Sequence, residues 1–207
     1  MSNLFKKYTF VELDVTTREE KPTLWVFGCS HSFGVGLLTN EKTYGSLLSE
    51  KVNMPLKLVA KPGSSTQFSL RHLVNADIRE NDIVIWQLAT AGRFSYATAV
   101  GKIREIIISN RTEEKFIKFF TDPQLHFHQL SLLNIGVNYL MAKKVKFVVT
   151  SINNPFDEYL IDEYRKYTEY CFTSIPVDKG NDHLHAGPIT HQNICNSLYN
   201  HIQYLYD

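Results

Sequence analysis

Four short apolar runs divide this chain: Leu24-Trp25-Val26-Phe27, Leu56-Lys57-Leu58-Val59-Ala60, Ile83-Val84-Ile85-Trp86 and Lys146-Phe147-Val148-Val149-Thr150. Runs this short, bounded by turn residues such as Gly28 and Pro62-Gly63, read as strands. The segments between them carry helical spacing. Strands that alternate with helices predict an α/β fold, with a mostly parallel central sheet covered on both faces. In such sheets, ligands bind at the carboxyl ends of the strands. Ser30, Gly63 and Thr90 each fall just past such an end and are expected to converge on one rim.

The connections are read by the same periodicity. Thr43 to Val52 predicts a helix with Leu47 and Leu48 inward, and Ser64 or Ser65 caps a helix reaching about Asn75. The strand around Ile83 extends over Asp82 to Leu88. Ala91 to Lys144 reads as mostly helical, with a stripe of Ile103, Ile106, Ile107 and Ile108. Within it, Thr121-Asp122-Pro123 is a helix start, followed by Leu130, Leu133, Val137, Leu140 and Met141. Phe94, Tyr96, Phe119, Phe120 and Phe127 read as core. Further helices are expected from Pro155 to about Cys171 and from Pro188 to Leu205, the latter with Ile194, Leu198, Ile202 and Leu205 on one face. There is no repeat, low-complexity tract or linker. The expectation is one domain over 1–207, with an N-terminal extension at 1–20 and a helical insertion at 91–144.

Composition bounds the function. The 207 residues are 43% hydrophobic and 21% charged, ordinary for a globular protein with a full core. A formal net charge of +1 gives no case for nucleic acid or an anionic membrane surface, and pairs such as Lys6-Lys7 and Lys143-Lys144 read as solvated. Cys29, Cys171 and Cys195 lack C-x-x-C spacing, which argues for a reducing compartment. No apolar run suits a signal peptide or a membrane span, so a soluble, cytoplasmic protein is expected.

The chemistry is concentrated in two segments. Gly28-Cys29-Ser30-His31-Ser32-Phe33-Gly34 puts a serine in a turn directly after a strand, and Asp182-His183-Leu184-His185 offers a carboxylate and an imidazole three residues apart. A serine hydroxyl needs a base within hydrogen-bond reach, and the base needs its tautomer fixed. Ser30 as nucleophile, His185 as base and Asp182 as its orienter fill those roles. Backbone N–H groups of Ser30 and Gly63, with a polar group such as Thr90, would receive an oxyanion. His31, Gln87 and Arg93 are candidate substrate contacts, Arg93 for an acidic group. Two other readings stand beside this one: Cys29 as nucleophile, and His183, His185 and His191 around a metal, although no carboxylate or thiol cluster completes such a site. His126 and His128 read as plain helix histidines.

The same segments resemble the SGNH (GDSL-type) hydrolases. Gly28 to Gly34 is similar to the first block, Lys61-Pro62-Gly63-Ser64-Ser65 to the second, and Asp182-His183-Leu184-His185 to the closing D-x-x-H block before a C-terminal helix. The resemblance spans about Thr23 to Asp207. It implies a three-layer α/β/α sandwich of flavodoxin-like type, hydrolysis of esters or thioesters of carbohydrates or lipids, an oxyanion donor at Gly63 and no cofactor. Two positions depart from the family. Cys29 replaces the aspartate of the first block, and Leu88-Ala89-Thr90-Ala91-Gly92-Arg93 lacks the asparagine of the third. Loss of one such donor typically costs ~10²–10³ in rate. An inactive binding module and an acyltransferase therefore accompany the esterase reading. The Ser…Asp…His order also suits α/β-hydrolases, but their G-x-S-x-G elbow lies in mid-chain.

Overall fold

The computed structural model of the protein describes residues 21–90, 92–98, 101–107, 122–152 and 171–206. Its centre is a five-stranded parallel sheet. The strands are β1 (Leu24–Gly28), β2 (Leu56–Ala60), β3 (Ile83–Gln87), β6 (Lys146–Ile152) and β7 (Cys171–Ser174), ordered β2-β1-β3-β6-β7. Leu24 pairs with Leu56 on one side and Ile83 on the other, and Ile83 pairs with Lys146. All the carboxyl ends thus point the same way, and the strand order reverses beside β1.

Side chains alternate across the sheet and build two separate cores. Trp25 and Phe27 of β1 face one side with Val84, Trp86, Phe147 and Val149. There they meet α3 (Thr66–Asn75) through Leu70 and Leu73, and α4 (Asp122–Lys143) through Leu133, Val137 and Leu140. Leu24 and Val26 face the other side with Ile83, Ile85 and Val148. They are covered by α2 (Tyr44–Val52) and α5 (Pro188–Tyr206) through Leu48, Ile194, Leu198 and Ile202. These are the three layers of an α/β/α sandwich. Buried Asp82 fastens the start of β1, accepting hydrogen bonds from Thr23 N (2.8 Å), the Trp25 indole N–H (3.0 Å) and Arg79 N (2.8 Å).

The helix starts are realised with small adjustments. Thr43, expected inside α2, stands just before it as its cap, and of the two candidates Ser65 caps α3. Met141 is half exposed at the end of the α4 stripe.

The main correction concerns the helical insertion expected over 91–144. Within it, β4 (Arg93–Ala97) and β5 (Ile103–Ile107) form an antiparallel hairpin, in which Arg93 pairs with Ile107 and Ser95 with Glu105. Isoleucines at i, i+3 and i+4 match a helix, but β-branched and aromatic residues favour a pleated surface, and Gly101 turns the chain with φ +74°. The hairpin packs on α3: Glu105 accepts from Ser65 N (2.8 Å) and Ser95 Oγ (2.7 Å), and Gln67 Oε1 accepts from Ser95 N (2.5 Å). The aromatic core proposed for this region is also revised. Phe94 is buried, whereas Tyr96 and Phe127 are exposed; Phe119 and Phe120 lie outside the described residues, as do the 1–20 extension and most of the helix expected from Pro155. Cys171 opens β7 instead of closing a helix.

Candidate active site

β1 ends at Gly28, and the chain turns at Cys29 into a single helical turn, α1 (Ser30–Phe33), closed by Gly34 in the left-handed region. Ser30 therefore sits at the carboxyl end of the sheet, at a first helical position whose N–H has no intrahelical partner. Its side chain is buried, and its hydroxyl lies 4.0 Å from Cys29 Sγ. The turn is built from beneath by Gln87 at the end of β3. Gln87 Oε1 accepts from Ser32 N (3.0 Å) and from Ser32 Oγ, and Gln87 Nε2 donates to Cys29 Sγ (3.4 Å). With the Ser32 proton committed to Gln87, the Tyr44 hydroxyl donates to Ser32 Oγ at 2.5 Å. Gln87 lines the pocket, but its amide is already spent on holding this turn.

The turn that follows β2 is tied to the same place. Ser64 Oγ donates to Gly28 O at 3.3 Å, and Ser64 N donates to Lys61 O at 3.1 Å, closing the turn around Gly63. The Gly63 N–H has no acceptor among the described residues.

Asp182 and His185 occupy the turn between β7 and α5. His185 Nδ1 and Asp182 Oδ2 are 2.5 Å apart, and Asp182 Oδ1 accepts from both Leu184 N and His185 N at 3.0 Å. Burial works to raise the Asp182 pKa, but these hydrogen bonds and the His185 ring outweigh it and bring it down to about 2. An ionised Asp182 on Nδ1 fixes the proton there and leaves the lone pair on Nε2. That is the tautomer a general base requires.

Two contacts that sequence reasoning did not find aim this turn. At its base, Asp178 accepts from Ile189 N (3.0 Å), Thr190 N (2.7 Å) and Thr190 Oγ1 (2.5 Å), capping α5. At its side, it lies directly on the residues after α1. Asn181 N donates to Gly36 O at 2.7 Å, and a Cβ on Gly180 would come within 2.6 Å of that same oxygen. Gly36 has φ +91°, and a Cβ there would meet Asp182 Oδ1 at 2.8 Å. Close glycine-on-glycine approach thus docks the segment bearing His185 onto the segment bearing Ser30.

Cys29, His31, Gln87, Leu88, Thr90, Arg93, Ile152, Leu184 and His185 line a pocket of ≈ 290 Å³. Of the candidate residues, it gathers Cys29, His31, Gln87, Thr90, Arg93 and His185. Ser30 and Gly63 are not among its lining residues, and no hydrogen bond joins Ser30 Oγ to His185 among the described residues. The ring of His31 stands edge-on to His185 at 5.1 Å, and His31 Nδ1 accepts from Ala186 N at 3.4 Å. The three histidines weighed as metal ligands are dispersed. His183 is exposed with φ +58°, His185 pairs with Asp182, and His191 is fully buried.

His191 Nδ1 accepts from Tyr44 N at 3.1 Å, so the ring is neutral. Burial above all lowers its pKa to about 4, against the pull of Asp178 and Glu41. Burial likewise lowers His31 to about 4, helped by His185, His191 and Arg93. Unfolded histidines titrate near 6.5. Between pH ~6.5 and ~4 the unfolded chain therefore binds more protons, and stability falls as pH falls through that window. Urea midpoints measured from pH 7 to pH 4 should decline, and His191→Asn, which keeps an acceptor for Tyr44 N, should flatten the decline. An unchanged slope in that variant would reject this assignment.

Comparison with solved structures gives the same fold. An acetyl xylan esterase, Est2A, from the rumen bacterium Butyrivibrio proteoclasticus superposes with a TM-score of 0.58 at 14% identity, covering 91% of this chain and 64% of that one. A carbohydrate esterase whose active site displays divergent catalytic and non-catalytic binding functions gives 0.58 at 12%, covering 92% and 67%. A protein described as lipolytic, of the G-D-S-L family, from Desulfitobacterium hafniense DCB-2 gives 0.51 at 8%, covering 86% and 98%. The chain spans slightly less than two thirds of the acetyl xylan esterase. No protein-family model matches the chain, and no curated protein matches it by sequence. The three-layer α/β/α architecture is thus shared with these carbohydrate esterases and with the G-D-S-L family protein. Among the described residues, no helix is long and apolar enough to cross a membrane.

Proposed function

We propose that the chain is a serine esterase, with Ser30 as nucleophile, His185 as general base and Asp182 as its orienter. The observation that carries this reading is the Asp182–His185 pair: a 2.5 Å contact, a carboxylate immobilised by two backbone N–H groups, and a free imidazole lone pair beside a pocket. The 4.0 Å contact of Ser30 Oγ with Cys29 Sγ is weak enough to exchange by rotation about χ1, and catalytic hydrogen bonds often tighten only with substrate bound. Ser30 Oγ attacks the acyl carbon as its proton passes to His185 Nε2. The oxyanion lies against the Ser30 and Gly63 N–H groups, with Thr90 beside them. The intermediate collapses as His185 returns the proton to the departing alcohol oxygen. Water then repeats the sequence on the acyl-enzyme, regenerating Ser30. Acyl esters of carbohydrates or lipids are the substrate class, and the acetyl xylan esterase named above supports the carbohydrate side. No step requires a cofactor.

A fluorophosphonate probe, which reacts with activated serines, is expected to label the protein. Ser30→Ala should lose all labelling; full labelling of that variant would remove Ser30 from the mechanism.

The second reading is a binding module on the same fold. It is favoured by the burial of Ser30 away from the pocket lining and by the absence of asparagine from Leu88 to Arg93. Inertness of the wild type towards both the probe and a panel of short acyl esters would decide for it.

A further inference from the structure

The third-block stretch ends in Arg93, the first residue of β4, and its guanidinium has an unusual environment. Arg93 lines the pocket, yet its Nε and Nη1 are buried and have no hydrogen-bond partner among the described residues. The one acidic side chain described on the hairpin, Glu105, faces Ser65 and Ser95 instead. Asp182, behind His185, is engaged with His185 and the adjacent backbone. Among the described residues, the pocket lining contains no carboxylate, and Arg93 is its one fixed charge. Arg93 is partly buried, and burying two guanidinium nitrogens without a counter-ion is unfavourable, while the planar fork matches the geometry of carboxylate and phosphate oxygens. A bound anion is one way to complete such a group.

We propose that Arg93 is an anion-recognition residue, and that the physiological ligand carries an anionic oxyacid group, a carboxylate or a phosphate, within reach of the ester-binding pocket. Neutral sugar acetates would leave the guanidinium unpaired, whereas an ester with a free carboxylate on its acyl chain, or a phosphate on its alcohol, would satisfy it. This inference rests on the esterase reading for the position of the ester, but the binding of an anion by Arg93 stands independently of turnover.

The test compares 4-nitrophenyl acetate with 4-nitrophenyl hemisuccinate, in wild type and in Arg93→Gln. The wild type should prefer the hemisuccinate in kcat/KM, and that preference should fall by ~10–10²-fold in the variant, the loss typical of a charge-assisted hydrogen bond. Absence of the preference in the wild type, or its persistence in Arg93→Gln, overturns the proposal. An equal loss on both esters also overturns it, since that marks a donor to the oxyanion. If neither ester is hydrolysed, the esterase reading fails, and calorimetric titration with succinate and with inorganic phosphate decides about Arg93. Binding of either anion that Arg93→Gln abolishes supports the site and distinguishes the two sources. No binding, or equal binding by the variant, ends it. Because Nε and Nη1 have no partner among the described residues, Arg93→Gln should keep or raise the thermal midpoint; a lowered midpoint would assign Arg93 a structural partner instead.

Discussion

Replacing His185 with alanine is expected to lower ester turnover by ~10⁴-fold or more while leaving the fold intact, because members of a nucleophile–base pair act as a unit. His185 is a partly exposed pocket residue and belongs to neither hydrophobic core, so its removal opens no cavity under the sheet. On the proposed mechanism, what is lost is the acceptor for the Ser30 proton. Asp182→Asn should produce a comparable loss by a different route. An amide in place of the carboxylate can present an N–H to His185 Nδ1, which places the imidazole proton on Nε2, the wrong nitrogen for a base. The Leu184 and His185 N–H groups that hold Asp182 Oδ1 keep the geometry while the chemistry fails. Steady-state turnover alongside circular dichroism checks both variants. Retention of more than a tenth of the activity by His185→Ala, with native stability, would remove His185 from the reaction.

Gly180→Ala is expected to be a damaging single-methyl change near the site, although Gly180 brings no side chain of its own to it. The new Cβ would stand 2.6 Å from Gly36 O and 2.8 Å from Gly36 C, and backbone does not yield as a flexible side chain does. Overpacking of this kind costs about 1–3 kcal/mol. The functional effect should be larger. Gly180 N also donates to His185 O at 2.8 Å, so separating Gly180 from Gly36 shifts the segment bearing His185 relative to the segment bearing Ser30. A misplacement near 1 Å lowers turnover on the order of 10²-fold. Thermal midpoint and kcat/KM, measured together, separate the two effects. Unchanged kcat/KM would mean that this docking does not set the position of His185.

Most of the parallel sheet was legible in the chain because β1, β3 and β6 are brief apolar runs that face a core on both sides, as with Trp25 and Val26 pointing to opposite layers, whereas Cys171–Ser174 carries no such run. The start of α3 followed from capping chemistry at Ser64 or Ser65, and α2 from its apolar spacing. The hairpin was not legible from spacing alone: Ile103, Ile106 and Ile107 satisfy a helical period, and only the β-branched and aromatic content of the segment argued for strands. At the site, the Asp182–His185 pairing could be read from a three-residue interval. The Gly36–Gly180 contact could not, since it joins two backbones distant in sequence and carries no side-chain signature. Gln87 was readable as a pocket residue but not as the support of Ser32 and Cys29, because an amide serves either purpose equally well. Asp178 passed unnoticed because its capping partner lies twelve residues on, beyond the usual span of a helix cap.

The β4–β5 hairpin has a consequence for how such a protein can diverge. It pairs with no strand of the central sheet and rests on α3 through a few polar contacts around Ser65, Ser95 and Glu105. The Asp182–His185 turn is anchored elsewhere, to α5 and to the segment after α1. On the function proposed above, choice of ligand and execution of chemistry would reside on separately fastened pieces of chain. Descendants of this sequence could exchange the hairpin, and with it Arg93, to accept a different class of molecule while inheriting the reaction machinery unaltered.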